Sequence, residues 1–585
     1  MSGLDYTAPR RTPDMTYDSR PAIGLRTLSL LWTCVLLVTV SVPSAAQSPA
    51  EDSPDGYAAL VDLFHAWRAF EEPPMRHGAP DYTAETTARR HAELKDFQKR
   101  LMAIDPSAWP VEQQVDHHIV RAEMNGFDFN VRVLKSWARD PAFYNTVWTY
   151  QSDTPAHEGP THHRLLELWT YEFPLSEEAE AKMARELSVI PPLLEQARLN
   201  LVGNARELWE SGIGTMRDQA NDLAELVERT ADTGPELRQA VADARRATVE
   251  FVGWLEEQAP SKTGPSGIGK ENYTWYMQHV HLVPLTWEDE VRLLKRELDR
   301  AHASLRLEEH RNRDLPQLVA IANPQEYEQR TNEAVTYYIE FLRRKNVMPV
   351  LDYMDPALRA RLGRFVPEES RNFFWTAVHF EPMTLWTHFY HWWDLARMET
   401  NPHPSPIRRG PLLYNIFDSR SEGMATGVEE MMMHAGLYDE NPRAREIVWI
   451  MLAQRAARGL GSLYVHSNDF TMKEARDFHV DWTPRGWMRE DLDLLGFEQQ
   501  LYLRQPGYGT SYISGKYLIE RLIAERSRQL GDAFDLSTFF AEVDDMGVIP
   551  VSLIRWQLTG KDNEIQDLTG QGQGPRAFLR PQTPE

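Results

Sequence analysis

The stretch Ser421-Glu422-Gly423-Met424-Ala425-Thr426-Gly427-Val428-Glu429-Glu430-Met431 joins fold and chemistry in one segment. Its spacing is helical, and Glu422 and Glu429, two turns apart, project from nearly the same face. Met424, Val428, Met431 and Met432 add hydrocarbon beside that stripe, the pattern of a helix that is largely buried rather than a solvated acidic face. Two carboxylates on one buried stripe can serve a metal ion and the groups that orient its ligands.

On either side of this segment, helix signals dominate. Leu175-Ser176-Glu177-Glu178 sets an N-cap serine before an acidic first turn and predicts an amphipathic helix to about Val189. Asn323-Pro324-Gln325-Glu326 predicts a helix through Arg344, and Thr286-Trp287-Glu288-Asp289 and Thr471-Met472-Lys473-Glu474 read as capping boxes. Alternation of apolar and polar residues is scarce, and no Asn-Gly hairpin is flanked by it. The expected fold is therefore all-α, and length alone leaves the number of domains open. Proline breaks the helical pattern at Pro73-Pro74, between Gln258 and Gly269, and between Asn401 and Pro411, each read as a loop.

Three further segments carry groups able to do chemistry. In His388-Phe389-Tyr390-His391-Trp392-Trp393-Asp394 the two histidines stand at i and i+3 and can face a common point, with Asp394 another turn along. This is not the H-E-x-x-H arrangement that zinc peptidases use, in which histidines four apart hold zinc and the glutamate activates water. Arg455, Arg458, Ser462 and His466 form one polar stripe among small residues. Buried arginines need carboxylate partners, so the stripe suits Glu422 or Glu429 as a neighbour. Arg504-Gln505-Pro506-Gly507-Tyr508-Gly509-Thr510-Ser511-Tyr512 is a glycine-rich turn feeding a helix, with backbone N–H groups and a tyrosine hydroxyl able to bind a carboxylate or an oxyanion.

The 585 residues are 42% hydrophobic and 25% charged, which permits a sizeable core and argues against disorder. A net charge of -23 with no basic run argues against a nucleic-acid partner, since phosphate binding needs clustered Lys and Arg. At the N-terminus, Arg10, Arg11, Arg20 and Arg26 precede an apolar run from Leu28 to Val42 and then Ser44-Ala45-Ala46-Gln47, which reads as a secretory signal over residues 1–46 with a long leader. An acidic, Pro-containing tether over residues 47–56 follows. The protein is expected to be exported, periplasmic or secreted, touching a membrane only through an uncleaved signal segment. The single cysteine, Cys34, lies inside the apolar run, so the folded body has no disulfides.

In order along the chain, these segments resemble the domain of unknown function 885 family of bacterial proteins, which is similar to helical gluzincin peptidases. The resemblance covers most of the chain and is sharpest from about Trp386 to Asp535. The family's E-G-W-A-L-Y-A-E is matched by Glu422 through Glu429, its R-A-A-R-L-V-V-D-T-G-L-H by Arg455 through His466 without a gap, and its P-G-Q-A-L-S-Y-K-I-G by Pro506-Gly507, Ser511-Tyr512 and Gly515. Its first motif, H-E-A-x-P-G-H-H-L-Q, is degenerate. One register lays His391-Trp392-Trp393-Asp394 over H-H-L-Q and puts Leu385 and Trp386 where the first zinc histidine and catalytic glutamate stand. A rival register lays Met398-Glu399-Thr400-Asn401-Pro402 over H-E-A-x-P and replaces that histidine by a thioether.

The resemblance implies one large helical body over residues 57–585 with a peptidase-like fold and a central cleft, Glu422 as the third zinc ligand, and supporting roles for Glu429, Arg458, His466 and Tyr512. Catalytic zinc needs three protein ligands and an open position. His388 and His391 with Glu422 would complete such a set, with His466 and Tyr512 stabilising an oxyanion and Glu429 or Glu381 as base. Two functional expectations stand side by side. One is an exported, divergent metallohydrolase acting on peptides or related amides. The other is a non-catalytic protein on the same fold that binds a small peptide or carboxylate ligand.

Overall fold

Each capping signal opens a helix. Ser176 Oγ accepts from the backbone N–H of Ala179 at 3.2 Å and starts Glu177–Leu187. Asn323 Oδ1 accepts from Glu326 at 2.9 Å and starts Pro324–Lys345. Thr286 and Thr471 each form the reciprocal box, with Asp289 and Glu474. A cap of this kind stabilises a helix by about 1 kcal/mol, enough to fix where the chain turns. The three proline-rich breaks fall outside α-helices, between Glu71 and Ala84, Gln258 and Lys270, and Thr400 and Asp418.

The computed structural model describes residues 54–153, 166–414 and 418–570. The signal segment 1–46 lies outside the described residues, and the helix Pro54–Glu71 begins within the stretch expected to be a tether. Among the described residues, strand is confined to two pairs of two-residue segments, Met75–Arg76 with Ala79–Pro80 and Val147–Trp148 with Leu166–Glu167. No described helix is long and apolar enough to cross a membrane. The fold is all-α, a single large helical body.

Two apolar cores organise it. In the smaller, Trp209, Met216 and Leu223 of Arg206–Arg229 meet Val241, Phe251 and Leu255 of Pro235–Gln258, a helical hairpin backed by Glu177–Leu187 and Ile190–Asn200. The larger core runs through most of the rest of the body, with two small clusters beside it, one around Leu208 and Leu503 and one formed by Leu501, Tyr502, Tyr508 and Tyr512. Six of its helices position the candidate site: α1 (Trp287–Arg311), α2 (Tyr390–Thr400), α3 (Asp418–His434), α4 (Ala444–His466), α5 (Asp493–Arg504) and α6 (Tyr508–Leu530). The helix α3 lies along α6, and α4 packs against α1, α5 and α6.

Glycine allows the closest of these approaches. A Cβ on Gly515 would stand 2.1 Å from the Ser419 carbonyl oxygen, and one on Gly423 would stand 2.5 Å from Gly515 Cα. Backbone therefore rests on backbone where α3 crosses α6, and Glu422, next to Gly423, is drawn to the tyrosines of α6. A buried ion pair ties α2 to α3. Arg420, wholly buried, donates to both oxygens of Asp394 at 3.1 and 3.2 Å and to Asp544 at 3.0 Å.

Candidate functional site

The chain kinks after the short helix Met383–Trp386, and α2 starts at Tyr390. His388 sits in the kink and His391 in the first turn of α2, so the two rings meet at right angles, 5.1 Å between centroids. From α3, Glu422 reaches the same point. One ligand atom each from His388, His391 and Glu422 lie within 4.8 Å of one another, and all three residues are buried.

Both ring nitrogens of His391 are buried without a hydrogen-bond partner among the described residues. Burial lowers its pKa to about 3, so the imidazole is neutral and its lone pair is available. Burial alone would raise Glu422, but the adjacent His388 and His391 rings and the Tyr508 hydroxyl bring it down to about 2, so it is ionised. Tyr508 donates to Glu422 Oε1 at 2.8 Å, which leaves Oε2, 3.6 Å from His388 Nε2, without a hydrogen bond. Two imidazoles and a carboxylate are a donor set that suits catalytic zinc, and one of the orphaned His391 nitrogens and Glu422 Oε2 are what such an ion would satisfy.

Behind these groups stands a supporting layer. His388 Nδ1 is 3.0 Å from Glu429 Oε1, while Arg455 approaches both Glu429 oxygens at 2.7 Å. A carboxylate behind an imidazole fixes its tautomer and orientation. Tyr512 lies parallel to the His388 ring, 6.0 Å between centroids, and the Arg458 guanidinium sits 3.9 Å from the centre of the tyrosine ring. Arg458 in turn pairs with Glu498 of α5. Burial holds the Tyr512 hydroxyl well above its ordinary pKa, so it stays a donor.

The structure thus brings together His388, His391, Glu422, Glu429, Arg455, Arg458 and Tyr512. It does not bring His466 to the three ligand atoms. That residue lies about 12 Å further along α4 than Arg458, where its Nε2 bonds the Tyr502 carbonyl at 2.9 Å and burial lowers its pKa to about 4. Glu381 is also elsewhere, accepting from Asn441 at 2.6 Å and from the Met383 backbone. The geometry distinguishes the two registers of the first motif: His391 is in the cluster, whereas Met398 and Glu399 lie at the far end of α2.

Four neighbours escaped the sequence reading. Tyr508 is one turn before Tyr512, and helical spacing points to it once the helix is known to start there. Glu498 is the carboxylate that buried Arg458 requires, from a helix with no motif of its own. Asp418, one turn before Glu422, is pushed well above the carboxylate range by burial and by Glu422 and Asp153. Asp153, whose Oδ2 is 3.7 Å from His391 Nε2, arrives from a distant part of the chain with no local signal. The expected central cleft is represented here by a buried cluster with Asp153, its side chain 39% exposed, at the outer edge. A separate cavity of about 590 Å³, lined by Glu309, Arg313, Phe380, Arg443, Arg485 and Trp487 among others, shares no residue with it.

No curated protein matches the chain. Among solved structures, a candidate lipoprotein of unknown function from Shewanella oneidensis superposes with a TM-score of 0.65 at 17% identity, covering 88% of this chain and 100% of that one. A second candidate lipoprotein, from Colwellia psychrerythraea, superposes with a TM-score of 0.57 at 13% identity, covering 86% of this chain and 98% of that one. At these identities the likeness shows a common fold. The profile described as bacterial protein of unknown function (DUF885) matches residues 71–558, and the chain belongs to that family.

Proposed function

We propose that this chain is an exported metal-dependent hydrolase of peptide or related amide bonds, with His388, His391 and Glu422 as ligands to zinc. One observation carries the reading: three buried donor atoms of the right chemistry converge within 4.8 Å, and one of the residues, His391, has no hydrogen bond to either ring nitrogen among the described residues. A buried polar group left unsatisfied costs about 1–3 kcal/mol, so an orphaned imidazole beside a carboxylate is retained at a cost that a ligand relieves.

Zinc bound there would polarise a substrate carbonyl and make water a nucleophile near neutral pH. The chain's own groups have separable tasks. Arg455 holds Glu429, Glu429 backs His388, and Tyr508 turns Glu422 so that Oε2 faces the histidines. Tyr512, stacked on His388, offers its hydroxyl to negative charge that develops on the carbonyl oxygen. Arg458 keeps that ring in place from α4. Export is supported by the signal-like segment at residues 1–46 and by the description of both structural neighbours as candidate lipoproteins.

The rival reading, a protein that binds a small peptide or carboxylate without turnover, would draw on Arg455, Arg458 and Tyr512. Arg455 and Arg458 already have carboxylate partners, Glu429 and Glu498. Elemental analysis of dialysed mature protein separates the two. The metal reading expects one zinc per chain, lost in His391→Ala and in Glu422→Gln. Protein without metal after growth and dialysis in zinc leaves the binding reading.

A further inference from the structure

The degenerate first motif lacks the glutamate that would take a proton from water, so a metal site here needs its base from elsewhere. We infer that Asp153 is the general base of this site. The inference rests on the reading of His388, His391 and Glu422 as metal ligands.

Geometry selects Asp153 from the acidic residues around the cluster. Glu429 has both oxygens engaged by Arg455 and stands behind His388, on the side away from its Nε2. Asp418 is on the same helix as Glu422, one turn earlier, and only 1% exposed. Glu381 is bound to Asn441. Asp153 alone of these combines an approach to His391 with access to solvent: Oδ2 is 3.7 Å from His391 Nε2, and the side chain is 39% exposed.

Asp153 stands beside the ligand set and not within it. The three ligand atoms lie within 4.8 Å of one another, and Asp153 is not a member of that set. A zinc–nitrogen bond is about 2.0–2.1 Å, and a base acting through water needs roughly 2.6–3.2 Å from its oxygen to the water oxygen. Because Asp153 supplies no atom to the set of three mutually close ligand atoms, the second role is the one assigned to it.

The segment that carries Asp153 is anchored beside the site. Gln151, two residues earlier, accepts from Arg361, and the Arg361 guanidinium lies 3.7 Å from the centre of the Trp392 ring, next to His391. This link from segment to helix holds the carboxylate near the histidines across more than two hundred residues of intervening chain.

In the reaction, Asp153 accepts one proton from the attacking water as the water oxygen bonds the carbonyl carbon and the carbonyl electrons move to oxygen. When the carbonyl re-forms, the carbon–nitrogen bond breaks, its electron pair leaves on nitrogen, and Asp153 returns the proton to that nitrogen. One water is consumed; a carboxylic acid and an amine are formed, and nothing is oxidised or reduced.

The test uses zinc-loaded full mature protein and acetohydroxamic acid, which gives up a proton when it chelates zinc as the hydroxamate, a proton that a carboxylate beside the ion can take up. Zinc per chain is read by elemental analysis and hydroxamate affinity by calorimetry, for the unaltered protein, Asp153→Asn, Asp153→Glu and His391→Ala. Asp153→Asn is expected to keep its zinc and to bind acetohydroxamate about tenfold or more weakly, with recovery in Asp153→Glu. Zinc loss in Asp153→Asn like that in His391→Ala would make Asp153 a ligand and overturn the inference. Unchanged hydroxamate affinity in Asp153→Asn, or no binding to the zinc-loaded unaltered protein, would overturn it as well. Unaltered protein that takes up no zinc would instead remove the metal reading beneath it.

Discussion

His391 is the residue on which the chemistry turns, because a neutral buried ring with neither nitrogen bonded is an unfavourable arrangement unless a ligand completes it. Its partner His388 is better supported, and Glu429 is the group that supports it. Glu429→Gln is expected to weaken zinc binding by about 10–100-fold, measured by competition with a chromophoric chelator. Glu430, the next residue of α3, has a different duty. Burial would raise its pKa, yet Arg300 and Lys516 hold it down at about 2, below the roughly 4.3 of an unfolded glutamate. Because the folded value is the lower, this ionised carboxylate stabilises the fold above pH 4.3 or so, and the benefit disappears as pH falls through 4 towards 2. Glu430→Gln is therefore expected to lose on the order of 3 kcal/mol at pH 7 and progressively less on acidification, read from urea unfolding at several pH values. A difference that stays constant with pH would show that the pairing does not set the shift.

At the scale of elements, the site exists because α2, α3 and α6 are locked in register. The Gly423 and Gly515 crossing sets how near α3 comes to α6. Gly515→Ala would push a methyl to 2.1 Å from the Ser419 carbonyl oxygen, and since that obstacle is backbone the helices must separate. About 1–3 kcal/mol of stability should be lost in denaturant unfolding, together with part of the zinc affinity. The Arg420–Asp394 pair does the corresponding work between α2 and α3, and Asp394→Ala leaves a buried guanidinium with Asp544 as its remaining carboxylate. Unfolding should become easier by about 3–5 kcal/mol, whereas a surface ion pair would give under about 1 kcal/mol. Most of these elements were legible beforehand. Ser176, Asn323, Thr286 and Thr471 announce their helices because capping is local chemistry, readable over four residues. The Arg455 stripe and the Glu429 stripe were matched by the need of a buried guanidinium for a carboxylate. Asp394 was seen as a polar residue one turn beyond His391, but its partner Arg420 was not, since no local pattern ties it to Asp394.

The whole molecule adds what a linear reading cannot supply. Asp153 and His391 are close only because the folded body brings distant segments together, and Glu498 meets Arg458 across a helix interface that carries no motif. His466 shows the converse: it matches a family motif in sequence, yet its helix carries it past the cluster to the Tyr502 carbonyl. The division into a signal segment and a helical body was readable from composition. The separate core of the Arg206–Arg229 and Pro235–Gln258 hairpin was not, because its helices have the same amphipathic pattern as the rest. If the native body binds zinc and the unfolded chain does not, zinc at a hundredfold excess over Kd stabilises it by about 2.7 kcal/mol, and a chelator removes that increment from the Tm. The most direct measurement is a crystal structure of zinc-loaded protein with anomalous data collected at the zinc edge. A single peak about 2.0–2.2 Å from His388, His391 and Glu422 is expected, with a remaining position open towards Asp153. No peak at that point, or a zinc held by other residues, would contradict the account.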